Sequence, residues 1–389
     1  MTPMPSTAPD SVKHDIASRI RAAEANLLGL SHRIHAHPEL AFEETQASHW
    51  VAEALAEGGF SVEHGCYDLP TAVRATAGTG PCHVVVCAEY DALPEMGHAC
   101  GHNIIAAAAV GAGLGLAPVA DDLGLTVTVL GTPAEEGGGG KVLMLERGAF
   151  DGADAAMMVH PAAQEAAALR GSAVSVFDVE YRGRPSHAGI HPERGVNAAD
   201  AMTIAQVAIG LLRQQTRDGE RVNGVITEGG LAANVIPDHS TGNWIVRSDS
   251  FENLTALKDR VLACFEAGAV GSGCELKIHP SCPDYADLVH DHDMVALYQA
   301  NATALGRTFP GPGEGPLVGA ATDMGNVSHR VPSIHPMLGL DCLPAVNHQP
   351  EFAAACITQA ADRAVLDGAI ALAWTAADVA NHPPQVTVT

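Results

Sequence analysis

The stretch His98-Ala-Cys-Gly-His102 places one thiol and one imidazole two residues apart, half the donor set of a transition-metal site. Gly101 between them lets the backbone bend so that both face one point. The plainer reading is a buried thiol beside a helix-capping histidine, since cysteine is among the most buried residue types. Glu135-Glu136, followed by Gly137 to Gly140, offers two neighbouring carboxylates at the end of an apolar run. On an extended backbone such neighbours point opposite ways, so one can bind a metal while the other acts as a general base. A phosphate-cradling loop fits the four glycines poorly, because no Gly-Lys-Ser/Thr follows and carboxylates stand just before them. A solvated acidic turn is the other alternative. His160 and His348 are each, alone, ordinary polar loop residues. Together the Cys, His, Glu, His, His set suits zinc, or two divalent ions bridged by the thiolate. Asp91 is placed to orient an imidazole from behind. His32, His35 and His37 are better explained by a helix face and a His-Pro turn than by a metal.

These side chains need elements to carry them. The run His83-Val-Val-Val-Cys-Ala-Glu reads as a buried strand that leaves for a loop at Asp91, Pro94 and Gly97. A long apolar segment from Asn103 reads as a buried helix, so Cys100 and His102 fall at a strand–loop–helix junction, where open α/β sheets keep their sites. Helical periodicity covers Asp10 to Leu30 and Glu43 to Gly58, and residues 1–10 read as a loose tail. Strands are expected at Val73–Ala77, from Leu125, and over Ala155 to Val159 ending at His160; a helix is expected from Lys141 to Gly148. Such alternation predicts a mostly parallel sheet with helices on both faces. From Val174 to Arg184 the pattern alternates strictly, as in a sheet with one open face. Helices over Asn197–Thr216 and Phe251–Gly268, with strands at Arg221–Thr227, His239–Arg247 and Glu275–His279, complete a βαββαβ order. That is the ferredoxin-like pattern, inserted into the larger α/β domain. The predicted division is 1–172 and 285–389 for the catalytic domain and 173–284 for the insert. A last amphipathic helix is expected from Phe352 to Trp374.

Composition narrows the classes. A chain of 389 residues with 47 % hydrophobic and 17 % charged residues is globular and long enough for two domains. Its net charge of −24 argues against nucleic acid and against an anionic membrane surface. It says nothing of substrate charge, because a local arginine can outvote the global field. The start has no basic and apolar leader pattern, and no apolar run reads as long enough to span a bilayer. Nine cysteines without regular spacing predict reduced thiols and a cytoplasmic protein.

Taken together, His98-Ala-Cys-Gly-His102, Pro133-Ala-Glu-Glu-Gly-Gly-Gly-Gly140, His160-Pro161, Ser186-His187-Ala188, Gly229 to Pro237 and His348 resemble the dinuclear metallo-amidohydrolases. These are the relatives of aminoacylase-1, glutamate carboxypeptidase and the auxin-conjugate hydrolases. Ala88-Glu-Tyr-Asp-Ala-Leu-Pro, Asn103 and Thr322-Asp-Met-Gly-Asn-Val-Ser resemble the aminoacylase-1-like 2 and aminobenzoyl-glutamate hydrolase branch. The auxin-conjugate branch usually carries Asp where this chain has Asn103. The resemblance implies that Cys100 bridges two divalent ions, zinc or manganese (cobalt in vitro), with His102, Glu136, His160 and His348 completing the sites. It implies Glu135 as the general base, and His187 as an oxyanion-steadying residue supplied across a homodimer formed by the inserted lid domain. Asn234 and Arg247 are implied as the pair holding the substrate's carboxylate, a role that suits the planar fork of arginine. The expected activity is hydrolysis of an amide in N-acyl- or aminoacyl-amino acids. Two other readings of the same residues are a structural metal site without catalysis and a metal-independent thiol hydrolase using Cys100.

Overall fold

Three β-branched residues in a row, Val84 to Val86, cannot be half-exposed without cost, and in the computed structural model all three are fully buried. Each such side chain contributes about 1.5–3 kcal/mol on leaving water. They lie in β3 (Cys82–Glu89), the third strand of the chain after β1 (Ser61–His64) and β2 (Val73–Ala77). β4 (Leu125–Thr132) and β5 (Ala155–Met157) flank β3 in parallel, and β11 (Ser333–Ile334) adds a third parallel pairing beyond β5. β2 joins β4 antiparallel and β1 joins β2 antiparallel, giving the order β1-β2-β4-β3-β5-β11. The sheet is thus largely parallel, with one antiparallel edge. One apolar core packs Val84, Val86, Val127 and Val129 against helices that include His102–Leu116 and Gln359–Asn381. The alternate residues Val85, Cys87 and Leu130 enter a second core with Met144 and Met324. The structure describes residues 7–310, 320–381 and 384; of the expected N-terminal tail, residues 1–6 lie outside these.

The chain divides into two compact units at Arg170/Gly171 and Asp287/Leu288. Residues 171–287 form a four-stranded antiparallel sheet of β7 (Ala173–Arg182), β8 (Arg221–Glu228), β9 (His239–Ser248) and β10 (Glu275–Pro280). Its order, β10-β7-β9-β8, with helices Ala198–Leu212 and Phe251–Ser272 between strands, is the ferredoxin-like arrangement. Phe177, Tyr181, Trp244 and Phe265 fill the core under the helices.

Four local expectations change. Asp10 to Leu30 is two helices, Asp10–Ala22 and Glu24–Ala36, and the last helix is also two, Pro350–Ala355 and Gln359–Asn381. His160 does not end β5: it opens β6 (His160–Ala162), which pairs in parallel with β12 (Met337–Gly339) as a separate two-stranded sheet. Pro161 has no N–H to extend a central ladder, which fits a short strand at an edge. Finally, His102–Val119 is, at 18 residues, long and apolar enough to cross a bilayer, contrary to the sequence reading. It is buried in the protein core for most of its length.

Candidate metal centre

Glu89 ends β3, and the chain then runs through Asp91 to Gly101, whose φ of 79° is a left-handed conformation that other residues adopt at a cost. A Cβ at Gly101 would also collide with the Pro161 ring. This turn puts Cys100 at the junction and makes His102 the first residue of the helix. Both are buried. Cys100 Sγ lies 3.4 Å from His160 Nε2, delivered by β6. His348 also has a left-handed backbone, with φ 66°. Its N–H donates to the Ala99 carbonyl at 2.8 Å, tying the 341–349 loop to the Cys100 turn. His348 Nε2 then lies 3.4 Å from Glu136 Oε1. The donor atoms of Cys100, His102 and His160 lie within 4.8 Å of one another, and so do those of Cys100, Glu136 and His348. The five residues expected as ligands therefore converge, and Cys100 belongs to both groups.

Asp91 organises the centre from behind. Its Oδ1 accepts from His102 Nδ1 at 2.9 Å, and its Oδ2 accepts from the Glu136 N–H at 2.9 Å. Burial alone would raise the Asp91 pKa; the His102 imidazole outweighs that and holds the carboxyl below its usual range. Because His102 Nδ1 donates to Asp91, its Nε2 faces the centre, and that buried atom has no hydrogen-bond partner among the described residues. Glu136 Oε1 is in the same condition. Asp91→Asn, which returns an amide where a carboxylate stood, is expected to weaken metal binding about 10–100-fold with little change in fold. Chelator-competition titration of both proteins checks this, and equal affinities would contradict it.

Glu135 and Glu136 do not diverge as an extended backbone would require. They lie in a turn after Ala134, whose φ is 59°, and both carboxylates come near one atom: Glu135 Oε2 is 4.0 Å and Glu136 Oε1 3.8 Å from His102 Nε2. Burial, with Glu89 and Glu136 nearby, pushes the Glu135 carboxyl well above its usual range. Burial also pushes the Cys100 thiol well up, with Glu136 adding to the effect. A thiol nucleophile needs the opposite shift, which counts against the thiol-hydrolase reading.

Four residues here were given no role at the site by the sequence reading. Glu89, Lys141 and Asp323 are fully buried, with Lys141 Nζ 2.5 Å from Glu89 Oε1 and 2.7 Å from Asp323 Oδ1. Glu89 Oε2 points the other way, 3.4 Å from His102 Nε2. Glu44, also buried, accepts from Ala134 N at 2.8 Å and Phe42 N at 3.0 Å, while Thr71 Oγ1 donates to its other oxygen at 2.8 Å. It thereby pins the strained turn that presents Glu135 and Glu136. The available signal was a charge in an apolar strand at Glu89; a lysine in the first turn of a helix gives none.

Burial and the Asp91 charge raise the Glu44 pKa from 4.5 to about 7. A carboxyl whose folded pKa lies above its unfolded value favours the folded state while protonated. The contribution is full below pH 4.5 and is lost as pH rises through 7, about 3 kcal/mol in all. Denaturation midpoints across pH 4.5–8 should therefore fall less for Glu44→Gln than for the unaltered chain; parallel curves would contradict the assignment.

The donor set fits divalent cations. Four carboxylates (Glu89, Asp91, Glu135, Glu136) are gathered around His102, and a fifth, Asp323, shares the one ammonium, Lys141, with Glu89. Uncompensated charge of one sign is costly away from water, and cations supply the compensation.

The other expected site residues lie in the second unit. His187 and Asn234 are neighbours: the Ala188 N–H donates to the Asn234 carbonyl at 3.0 Å, and His187 bridges to Val235. Both are exposed. Arg247 is not with them. It sits near the end of β9, opposite Val174, whereas Asn234 precedes the strand's start at His239. The eight residue steps of β9 from His239 to Arg247 span about 26 Å, so this strand lies between Asn234 and Arg247 along the chain of one copy.

His32, His35 and His37 are engaged elsewhere: His32 Nε2 with Asp362 at 2.7 Å, His35 Nε2 with the Ala353 carbonyl at 2.8 Å, and His37 Nδ1 with the Arg33 carbonyl at 2.9 Å.

A largely parallel α/β sheet, a ferredoxin-like insert and a buried Cys/His/Glu cluster define a metallohydrolase architecture. Residues 85–365 match the model of Peptidase family M20/M25/M40, and the chain belongs to that family. It is 38 % identical to the Xaa-Arg dipeptidase of Mus musculus, over 96 % of this chain and 90 % of the relative. It is 29 % identical to a p-aminobenzoyl-glutamate hydrolase polypeptide of Escherichia coli, over 69 % of this chain and 61 % of that one. Among solved structures, a dinuclear metal-binding M20 peptidase of Bacillus subtilis superposes with a TM-score of 0.64 at 22 % identity, covering 90 % of this chain and 98 % of that one. The protein is accordingly a hydrolase of amide bonds, and a non-catalytic structural metal site is not its function.

Proposed function

We propose that the protein hydrolyses the amide of an aminoacyl- or N-acyl-amino acid with a free carboxylate, using two divalent ions, zinc or manganese, with cobalt serving in vitro. The observation that carries this is the convergence of Cys100, His102, Glu136, His160 and His348 with Cys100 common to both clusters. Ions bound there supply Lewis-acid polarisation of the scissile carbonyl and acidify water. Glu135 takes a proton from the attacking water onto its carboxylate and returns it to the leaving amine nitrogen. Its burial beside other carboxylates favours holding that proton between the two events. Asp91 keeps the His102 ring oriented throughout.

The likeness to an Xaa-Arg dipeptidase puts dipeptides ending in arginine first among substrates to try. Amides of glutamate come next, from the aminobenzoyl-glutamate relative. We assign the carboxylate-holding role to Asn234 and Arg247 and the oxyanion-steadying role to His187, acting in a homodimer formed by the inserted unit. In such a dimer Arg247 of one copy can stand beside Asn234 of the other. Exposed Val207, Leu211, Val225 and Ile226 on one helix and the edge strand β8 are apolar surface suited to such a contact. The nine free cysteines support a reducing cytoplasm as its location.

The test is a panel of Xaa-Arg dipeptides, aminobenzoyl-glutamate and N-acyl-amino acids, assayed on metal-loaded and chelated protein. The proposal expects hydrolysis of at least one class and its loss on chelation. Equal turnover in both preparations would overturn it.

A further inference from the structure

Glu89 is none of the five residues placed above as ligands, yet its geometry is that of one. It is fully buried at the end of β3, and its Oε2 accepts no hydrogen bond among the described residues. His102 Nε2 lies 3.4 Å from Oε2 and is likewise without a hydrogen-bond partner among the described residues. With His102 Nδ1 donating to Asp91, its Nε2 faces that carboxylate oxygen and carries either a proton or a lone pair. Without the proton, the two facing acceptors repel in a dry interior unless a metal cation lies between them. Two ligands bound to one tetrahedral ion at about 2.1 Å stand about 3.4 Å apart, the separation seen here.

The rest of Glu89 is held for the task. Its Oε1 is 2.5 Å from Lys141 Nζ, and Lys141 is fixed in turn by Asp323, which accepts from the Lys141 N–H at 2.8 Å and from Nζ at 2.7 Å. One oxygen is thus anchored while the other is left pointing into the centre. Glu89, His102 and Glu135 place donor atoms within 4.8 Å of one another, a third group joined through His102 to the Cys100–His102–His160 group.

We propose that Glu89 is a further metal ligand, adding a carboxylate to the half of the centre that Cys100, His102 and His160 form. The inference rests on the metal-dependent reading given above. Its consequence is a carboxylate in each half of the centre, Glu89 in one and Glu136 in the other, a hard donor that suits manganese beside the thiolate and imidazole that suit zinc. The alternative arrangement is an imidazolium at His102 shared between Asp91 and Glu89, with no ion between Glu89 and His102.

The experiment uses the full chain, stripped by chelator and reloaded with manganese, with ions per chain counted by plasma mass spectrometry and affinities read by chelator competition. The unaltered chain should hold two ions. Glu89→Gln should weaken one of them at least about tenfold and leave the other in place. Glu89→Asp keeps the charge facing Lys141 and withdraws the ligand by one methylene; it should fall between the two, and it serves if Glu89→Gln does not fold. A cobalt-loaded sample should show an altered visible absorption spectrum in the variants. Two ions bound as tightly in both variants as in the unaltered chain would overturn the inference while leaving the metal-dependent reading intact. An unaltered chain that holds no ion would overturn both.

Discussion

Glu135→Gln is expected to lower kcat about 10²–10⁴-fold with the number of bound ions unchanged. The amide keeps the size and the polarity of the side chain but cannot accept the proton that attack by water releases. Glu135 is absent from both clusters that share Cys100, and its proposed task is to carry the proton, so its loss should leave both ions held. The separation of the two readouts is what gives the experiment its force. A matching loss of metal would make Glu135 a ligand, and unchanged kcat would remove it from the chemistry. Because burial and the neighbouring Glu89 and Glu136 hold its pKa high, the unaltered enzyme should need rising pH to free the base. The acid limb of its kcat profile should accordingly disappear in the variant.

Cys100→Ala should cost more than any supporting residue, because Cys100 is the donor common to the Cys100–His102–His160 and Cys100–Glu136–His348 groups. Bound metal and activity should fall together, by more than the about 10–100-fold expected when a ligand merely loses its orienting partner. The same variant separates metal chemistry from a thiol nucleophile. A nucleophile's loss would abolish turnover and leave two ions in place. The buried thiol's high pKa already weighs against that outcome, since an uncoordinated thiol held neutral attacks poorly.

The fold was legible where side-chain period and burial coincide. Val84–Val85–Val86 could only be an interior strand, and the alternation from Val174 could only be a sheet with one wet face, as the intermediate and exposed positions at Val176, Asp178 and Glu180 show. The ligand types were legible too, because thiol, imidazole and carboxylate at loop positions have few other collective uses. What could not be read was direction. Neighbouring carboxylates at 135 and 136 were expected to diverge, but the left-handed Ala134 curls them toward one imidazole, held by a Glu44 that is remote in sequence. Lys141 was legible only as the start of a short helix, and it is fully enclosed, because two carboxylates from β3 and the 323 region meet it there. Asn234 and Arg247 were paired as a clamp although an entire strand lies between them along the chain.

The proposed hydrolysis requires one point in space where Cys100, His102, Glu136, His160 and His348 hold two cations. Crystals grown with manganese or zinc and measured for anomalous scattering test this most directly. Two peaks about 3.5–4 Å apart are expected among these five side chains, with the Cys100 sulfur reaching both. A single peak away from Cys100, or none among these residues in crystals of metal-loaded active protein, would contradict the two-ion centre.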